Sequence, residues 1–175
     1  MPRTHKYLIV IDMQKDFIDG ALGTPEAAAI VPAVIERIRQ AKAAGETVIA
    51  TMDTHHENYL DTAEGKKLPV PHCVKGTEGW KIPPEIADAL ADSALVEKPT
   101  FGSVKLPKLI APADDLSIEL VGLCTDICVV SNALLLKAHF PEAPMAVRSA
   151  CCAGVTPERH RAALETMASC QIEIL

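Results

Sequence analysis

The 175-residue sequence predicts an α/β protein, a three-layer α/β/α sandwich built on a mainly parallel, doubly wound sheet of about five to six strands. Three observations predict it. Apolar runs of strand length alternate with stretches of helical length and period. The runs are apolar almost throughout, as in strands buried on both faces of a parallel sheet. Polar residues with useful chemistry stand where the runs end, the usual place for ligands in such sheets.

Taken in order, YLIVID (7–12) reads as the first strand. PEAAAIVPAVIERIRQAKAAG (25–45) reads as a helix, with apolar residues at 30, 31, 34, 35 and 38 and a C-terminal Gly45. TVIATMD (47–53) is a second strand, and PPEIADALADS (83–93) a short helix that starts on proline. ALVEK (94–98) and SIELVGL (117–123) are the third and fourth strands, and a helix follows over 126–139, with Thr125 or Asp126 as its expected cap. PMAVRSA (144–150) is a fifth strand, TPERHRAALETMASC (156–170) a helix capped by Thr156, and QIEIL (171–175) a sixth strand. Residues 1–175 read as a single domain carrying one long insertion at about 54–82, a length that favours a functional loop.

The totals narrow the function. Aromatic residues are 3% and the net charge is −6, so neither a base-stacking platform nor a phosphate-binding surface is expected. The mean hydropathy is +0.16, against disorder. No apolar stretch is long enough to span a bilayer, and Asp12 interrupts the one near the start, so no membrane association and a cytoplasmic location are expected. There the cysteines at 73, 124, 128, 151, 152 and 170 should be thiols. The aliphatic richness suggests a homo-oligomer.

The strand ends carry the chemistry. Asp12, Lys98 and Cys128 fall at the ends of the first, third and fourth runs: a carboxylate, an ammonium and a thiol at one rim. Cys128 lies in the first turn of a helix, where unpaired N–H groups favour an anion, and Lys98 would favour a thiolate further. Asp12 can take the thiol proton and return it to a leaving amine. Cys124 precedes the helix, so its expected contribution is its backbone N–H, which with that of Cys128 would hold an oxyanion. A second cluster lies in DTHHENYLDTAEGKKLPVPHC (53–73). Asp53, His55 and His72, with Glu57, Asp61 or Glu64 as a fourth ligand, suit Zn²⁺, Mn²⁺ or Fe²⁺.

IDMQKDF (11–17), DTH (53–55), HCVKGTEG (72–79), EKPTFGS (97–103) and GLCTDICV (122–129) together resemble the isochorismatase-like cysteine hydrolases, most closely their nicotinamidase (pyrazinamidase) branch. The resemblance covers essentially the whole chain. It implies an Asp12–Lys98–Cys128 triad and a cis peptide before Cys124. It further implies a metal, most often zinc, held by Asp53, His55, Glu64 and His72, which takes the pyridine nitrogen of nicotinamide. Phe17, Leu68 and Phe101 are the expected ring contacts, Leu68 standing near where many nicotinamidases carry an aromatic. The implied reaction is hydrolysis of a small amide, nicotinamide, to nicotinate and ammonia through a cysteine thioester. Two alternatives stay open: a metal-independent amidase of the same family acting on a carbamoyl or ureido compound, and a non-enzymatic binding or thiol redox module.

Overall fold

The computed structural model describes residues 5–175. The chain runs β1 (Lys6–Ile11), α1 (Lys15–Ile18), α2 (Pro25–Ala29), α3 (Val31–Ala43), β2 (Thr47–Asp53), α4 (Ala63–Lys67), α5 (Pro84–Ala89) and β3 (Ala94–Lys98). It continues with β4 (Ser117–Leu123), a π-helical turn (Thr125–Val129), α6 (Val130–His139), β5 (Met145–Ala153), α7 (Pro157–Ser169) and β6 (Glu173–Ile174). The six strands form one sheet in the order β3-β2-β1-β4-β5-β6, every pair parallel. The chain works outward from β1 to β3, then returns to the middle and works outward again from β4. The reversal lies between β1 and β4, the place where open parallel sheets bind ligands at the C-terminal ends of their strands.

Alternation along β1 divides the core between the two faces. Leu8 and Val10 pack with Val34, Ile38 and Ala41 of α3 and Ile86 of α5. Ile9 and Ile11 pack on the other face with Val129, Ala133, Leu136 and Met167. Each large aliphatic side chain fully withdrawn from water contributes about 1.5–3 kcal/mol, so both helical layers are held chiefly by this burial. β4 comes close to β1 at its end: a Cβ on Gly122 would lie 2.1 Å from the Ile11 carbonyl oxygen, and φ there is +120°, so only glycine fits.

Several expected elements are corrected. The single helix over 25–45 is two, α2 and α3, because Pro32 has no N–H to carry the ladder through and restarts a helix at its first turn. The helix over 126–139 opens as a π turn. Neither Thr125 nor Asp126 caps it; Cys124 holds the cap position without a side-chain bond. β1 stops at Ile11, leaving Asp12 beyond it, and β5 extends through Cys151 and Cys152 to Ala153. No described helix is long and apolar enough to cross a membrane.

Candidate active site

Asp12 follows β1 with φ +46°, in the left-handed region that non-glycine residues seldom occupy. It is held there by β2: its N–H donates to the Thr51 carbonyl at 3.2 Å, and the Thr51 hydroxyl donates to its Oδ1 at 2.6 Å. The other oxygen, Oδ2, lies 2.6 Å from Lys98 Nζ. Lys98 ends β3, two strands away, and reaches back under the sheet rim. Its Nζ also stands 3.3 Å from Cys128 Sγ, 3.1 Å from the Thr100 carbonyl and 3.6 Å from Asp53 Oδ1. All of Asp12, Lys98 and Cys128 are buried. The three sequence-predicted reactive groups therefore meet at one point, with the ammonium between the thiol and the carboxylate.

Burial governs their protonation. It would strip the proton from Lys98, but the carboxylate of Asp12, with Cys128 and Asp53, overcomes it and holds the ammonium above the ordinary lysine range. Burial also pushes Asp12 above the ordinary carboxylate range, against the pull of Lys98. The Cys128 thiol is pushed well up by burial and then by Asp12, with Lys98 opposing. Lys98 thus works against the rise that burial and Asp12 impose on the sulfur. Asp12 Oδ2, with lone-pair capacity to spare, is the base beside it.

Asp53 links this group to a second one. Its Oδ1 faces Lys98, while its Oδ2 lies 2.9 Å from His55 Nε2 and 3.5 Å from His72 Nε2. Glu64 Oε1 from α4 closes the set at 3.7 Å from His55 Nε2 and 3.6 Å from His72 Nε2. The fold brings these residues together by extending β2: His55 N–H donates to the Cys73 carbonyl at 2.9 Å and Lys75 N–H to the His55 carbonyl at 2.8 Å, which draws His72 alongside. The Val70 carbonyl lies 2.8 Å from His72 Nδ1, so that nitrogen carries the proton and Nε2 presents a lone pair. A tetrahedral ion with bonds of about 2.1 Å needs ligand atoms about 3.4 Å apart. Of the six separations among four ligand atoms, the Asp53–His72, Glu64–His55 and Glu64–His72 distances of 3.5, 3.7 and 3.6 Å come close to this, and all four atoms lie within 4.8 Å of one another. The residues fit a divalent transition ion, with Glu64 taking the fourth position that sequence left open among Glu57, Asp61 and Glu64.

The expected ring contacts divide. Leu68 and Phe101, 39% and 41% exposed, line a cavity of about 480 Å³ with Glu64, Thr100 and Ile127. Phe17 is buried in the core and stands behind the metal cluster, its ring 5.5 Å from that of His72. It does not line that cavity.

Other residues that hold the site escaped the sequence reading. Gln14, wholly buried, donates to the carbonyls of Asp53 and Trp80 at 2.8 and 2.9 Å and accepts from the Asp53 N–H at 2.7 Å, which ties the ends of β1 and β2 together. Tyr59 sets its ring against both histidines, centroids 4.8 and 5.0 Å away. Asn132 donates to the carbonyls of Cys128 and Phe101 at 2.8 and 3.0 Å and accepts from the Ser103 N–H at 2.9 Å, joining the cysteine turn to the loop after Lys98. Asn132 sits one helical turn after Cys128, a spacing that marks it once the cysteine is singled out.

Fold and site define a parallel, doubly wound α/β protein with a buried thiol–ammonium–carboxylate centre beside a two-histidine, two-carboxylate cluster. The chain belongs to the isochorismatase family, whose isochorismatase domain matches residues 6–175. It is 28% identical to the nicotinamidase/pyrazinamidase of Mycobacterium tuberculosis, covering 96% of this chain and 97% of that one. It is 25% identical to the nicotinamidase of Schizosaccharomyces pombe, covering 98% and 93%. Among solved structures it resembles the pyrazinamidase of Pyrococcus horikoshii in complex with zinc, with a TM-score of 0.82 at 29% identity over 98% of each chain.

Proposed function

We propose that this protein is a cysteine amidohydrolase that converts nicotinamide to nicotinate and ammonia. The observation that carries the reading is the position of Lys98 Nζ, 2.6 Å from Asp12 Oδ2 and 3.3 Å from Cys128 Sγ. The similarity to nicotinamidases supports the substrate. In the first half, Asp12 accepts the thiol proton as Cys128 Sγ bonds to the carboxamide carbon. Backbone N–H groups of Cys124 and Cys128 hold the oxygen of the tetrahedral intermediate. Asp12 passes its proton to the nitrogen, the C–N bond breaks, and ammonia leaves a thioester. In the second half, Asp12 takes a proton from water, whose oxygen attacks the thioester; the C–S bond breaks, that proton returns to sulfur, and the carboxylic acid formed ionises to nicotinate as it departs. Lys98 stays charged throughout and balances whichever anion is present. Asp53, His55, Glu64 and His72 would hold the metal, which when bound supplies a Lewis-acid anchor for a ring nitrogen. Leu68 and Phe101 flank the ring in this reading, and Phe17 supports it through His72.

Ammonia release from a panel of amides, with and without a chelator, tests the reading. Nicotinamide should be turned over well ahead of benzamide, which has the same shape without the ring nitrogen. His55→Ala should lower kcat/KM for nicotinamide by on the order of a hundredfold and that for benzamide far less, because only a substrate that can ligate the ion benefits from it. Equal losses on both substrates would make the cluster structural. Full activity in metal-free protein would turn the assignment to a metal-independent amidase.

Lys98→Met should be severe at neutral pH and partly recovered at higher pH. The ammonium favours ionised Asp12, so removing it raises the pKa of a carboxyl that burial already pushes up. The acid limb of kcat/KM should therefore move upward by about one to three pH units. A pH–rate profile superimposable on that of the wild type would exclude this electrostatic role.

A further inference from the structure

The two polar residues that precede Cys128 do not cap the helix; both turn away from it toward the junction of β5 and α7. The Thr125 side chain is wholly buried, and its hydroxyl lies 2.7 Å from His160 Nδ1 in the first turn of α7. Asp126 Oδ1 accepts from the Val155 N–H at 3.0 Å. The junction is built tight against this point. A Cβ on Gly154 would lie 2.7 Å from the His160 backbone nitrogen, so the chain passes at a distance that only glycine allows. The Thr156 side chain accepts from the Arg159 N–H and starts α7 in register, which fixes where His160 falls. β5 is paired with β4 directly before the turn, Cys152 opposite Gly122 and Ala153 opposite Leu123. From the other side Asn132 donates to the Cys128 carbonyl at 2.8 Å. The turn itself is irregular: the Cys124 carbonyl accepts from both Ile127 and Val129 N–H at 3.1 Å. A π turn carries less regular bonding than an α-helix and needs outside support to keep one geometry.

We propose that His160 is a positioning residue for Cys128, hydrogen-bonded through Nδ1 to the Thr125 hydroxyl and so holding the cysteine turn where Sγ meets Lys98. Burial holds His160 below the ordinary histidine range, which favours the neutral ring. His160 does not reach the sulfur; its effect passes through Thr125 and the π turn. The role in turnover rests on the amidohydrolase reading, whereas the control of sulfur geometry does not.

The test uses the full-length protein and four variants. His160→Ala and Thr125→Val remove the bond. His160→Asn keeps a side-chain amide near the place of Nδ1, and Thr125→Ser keeps the hydroxyl. Loss of one buried hydrogen bond from the reactive geometry should lower kcat by about tenfold with KM within about twofold. His160→Asn and Thr125→Ser should recover most of the rate. The double variant His160→Ala/Thr125→Val should fall no further than either single change, because both break the same contact. Alkylation of Cys128 by iodoacetamide, followed by mass spectrometry, gives a second readout independent of any substrate. It should slow in both disrupting variants, since the sulfur drifts from the ammonium that favours its thiolate. Unchanged kcat and alkylation in His160→Ala and Thr125→Val would overturn the proposal. So would losses that track the melting temperature and are not restored by His160→Asn. If the wild type hydrolyses no amide, the functional reading fails and the alkylation rates alone decide the positioning role.

Discussion

Cys128→Ala should lose ammonia release by on the order of 10⁵-fold while the protein stays folded. Removing one sulfur atom from the core costs about 1 kcal/mol, well within the stability of a typical domain. Cys124→Ala removes the same atom four residues earlier and should keep substantial activity. Burial does not distinguish the two thiols, which are 9% and 4% exposed. Their surroundings do. Cys124 packs in the apolar cluster on the α3 face, where burial pushes its thiol up to about 12. Cys128 Sγ lies 3.3 Å from Lys98 Nζ, which is itself ion-paired to Asp12 Oδ2 at 2.6 Å. The role proposed for Cys124 belongs to its backbone N–H, which alanine keeps. Single-turnover trapping of an acyl adduct by mass spectrometry should find the added mass on the peptide carrying Cys128 in the wild type and on no peptide in Cys128→Ala. An adduct on Cys124, or activity that survives Cys128→Ala and vanishes in Cys124→Ala, would reverse the assignment.

The difference between those cysteines shows where the sequence was readable. β2 and β4 begin and end where their apolar runs do, because a central strand covered on both faces must be largely apolar along its length; β3, an edge strand with Leu95 exposed, keeps the bounds of its shorter run. That places Asp53 and Lys98 at strand ends without further information. Motif order then brings Asp12, Lys98 and Cys128 to one rim, since parallel strands all present their C-terminal ends on the same side. What stayed hidden was local and short. α1 and α4 have four and five residues, too few to display a helical period. Glu64 could not be told from Asp61 by composition; it faces the histidines because α4 turns it there. The split at Pro32 was present in the sequence, but the apolar spacing runs through it and masks it. Thr125 and Asp126 look like caps by residue type, yet their partners come from the β5–α7 junction, about thirty residues onward, which no local pattern can reveal. The depth at which Cys128 is buried is likewise a property of the packed fold alone.

Asp12→Asn should be nearly as damaging as loss of the thiol, with a fall on the order of 10³- to 10⁴-fold, because an amide neither accepts the thiol proton nor delivers one to the departing nitrogen. A second consequence follows from the site geometry. The Thr51 hydroxyl donates to Oδ1, and an asparagine that keeps this bond turns its NH₂ toward Lys98. A donor then faces the ammonium where Oδ2 stood at 2.6 Å. Lys98 is left buried with Asp53 Oδ1 at 3.6 Å as its remaining carboxylate. Breaking a buried ion pair from one side costs about 3–5 kcal/mol, so thermal stability should fall along with activity. The two losses separate in the double variant Asp12→Asn/Lys98→Met. Replacing the stranded ammonium by an apolar chain of similar length removes the uncompensated charge, and much of the melting temperature should return. Activity should not, since no group near Sγ can then accept a proton. A double variant that regains activity along with stability would show that Asp12 acts by balancing the charge of Lys98 rather than as the base. One that regains neither would place the damage in the packing around Thr51 instead.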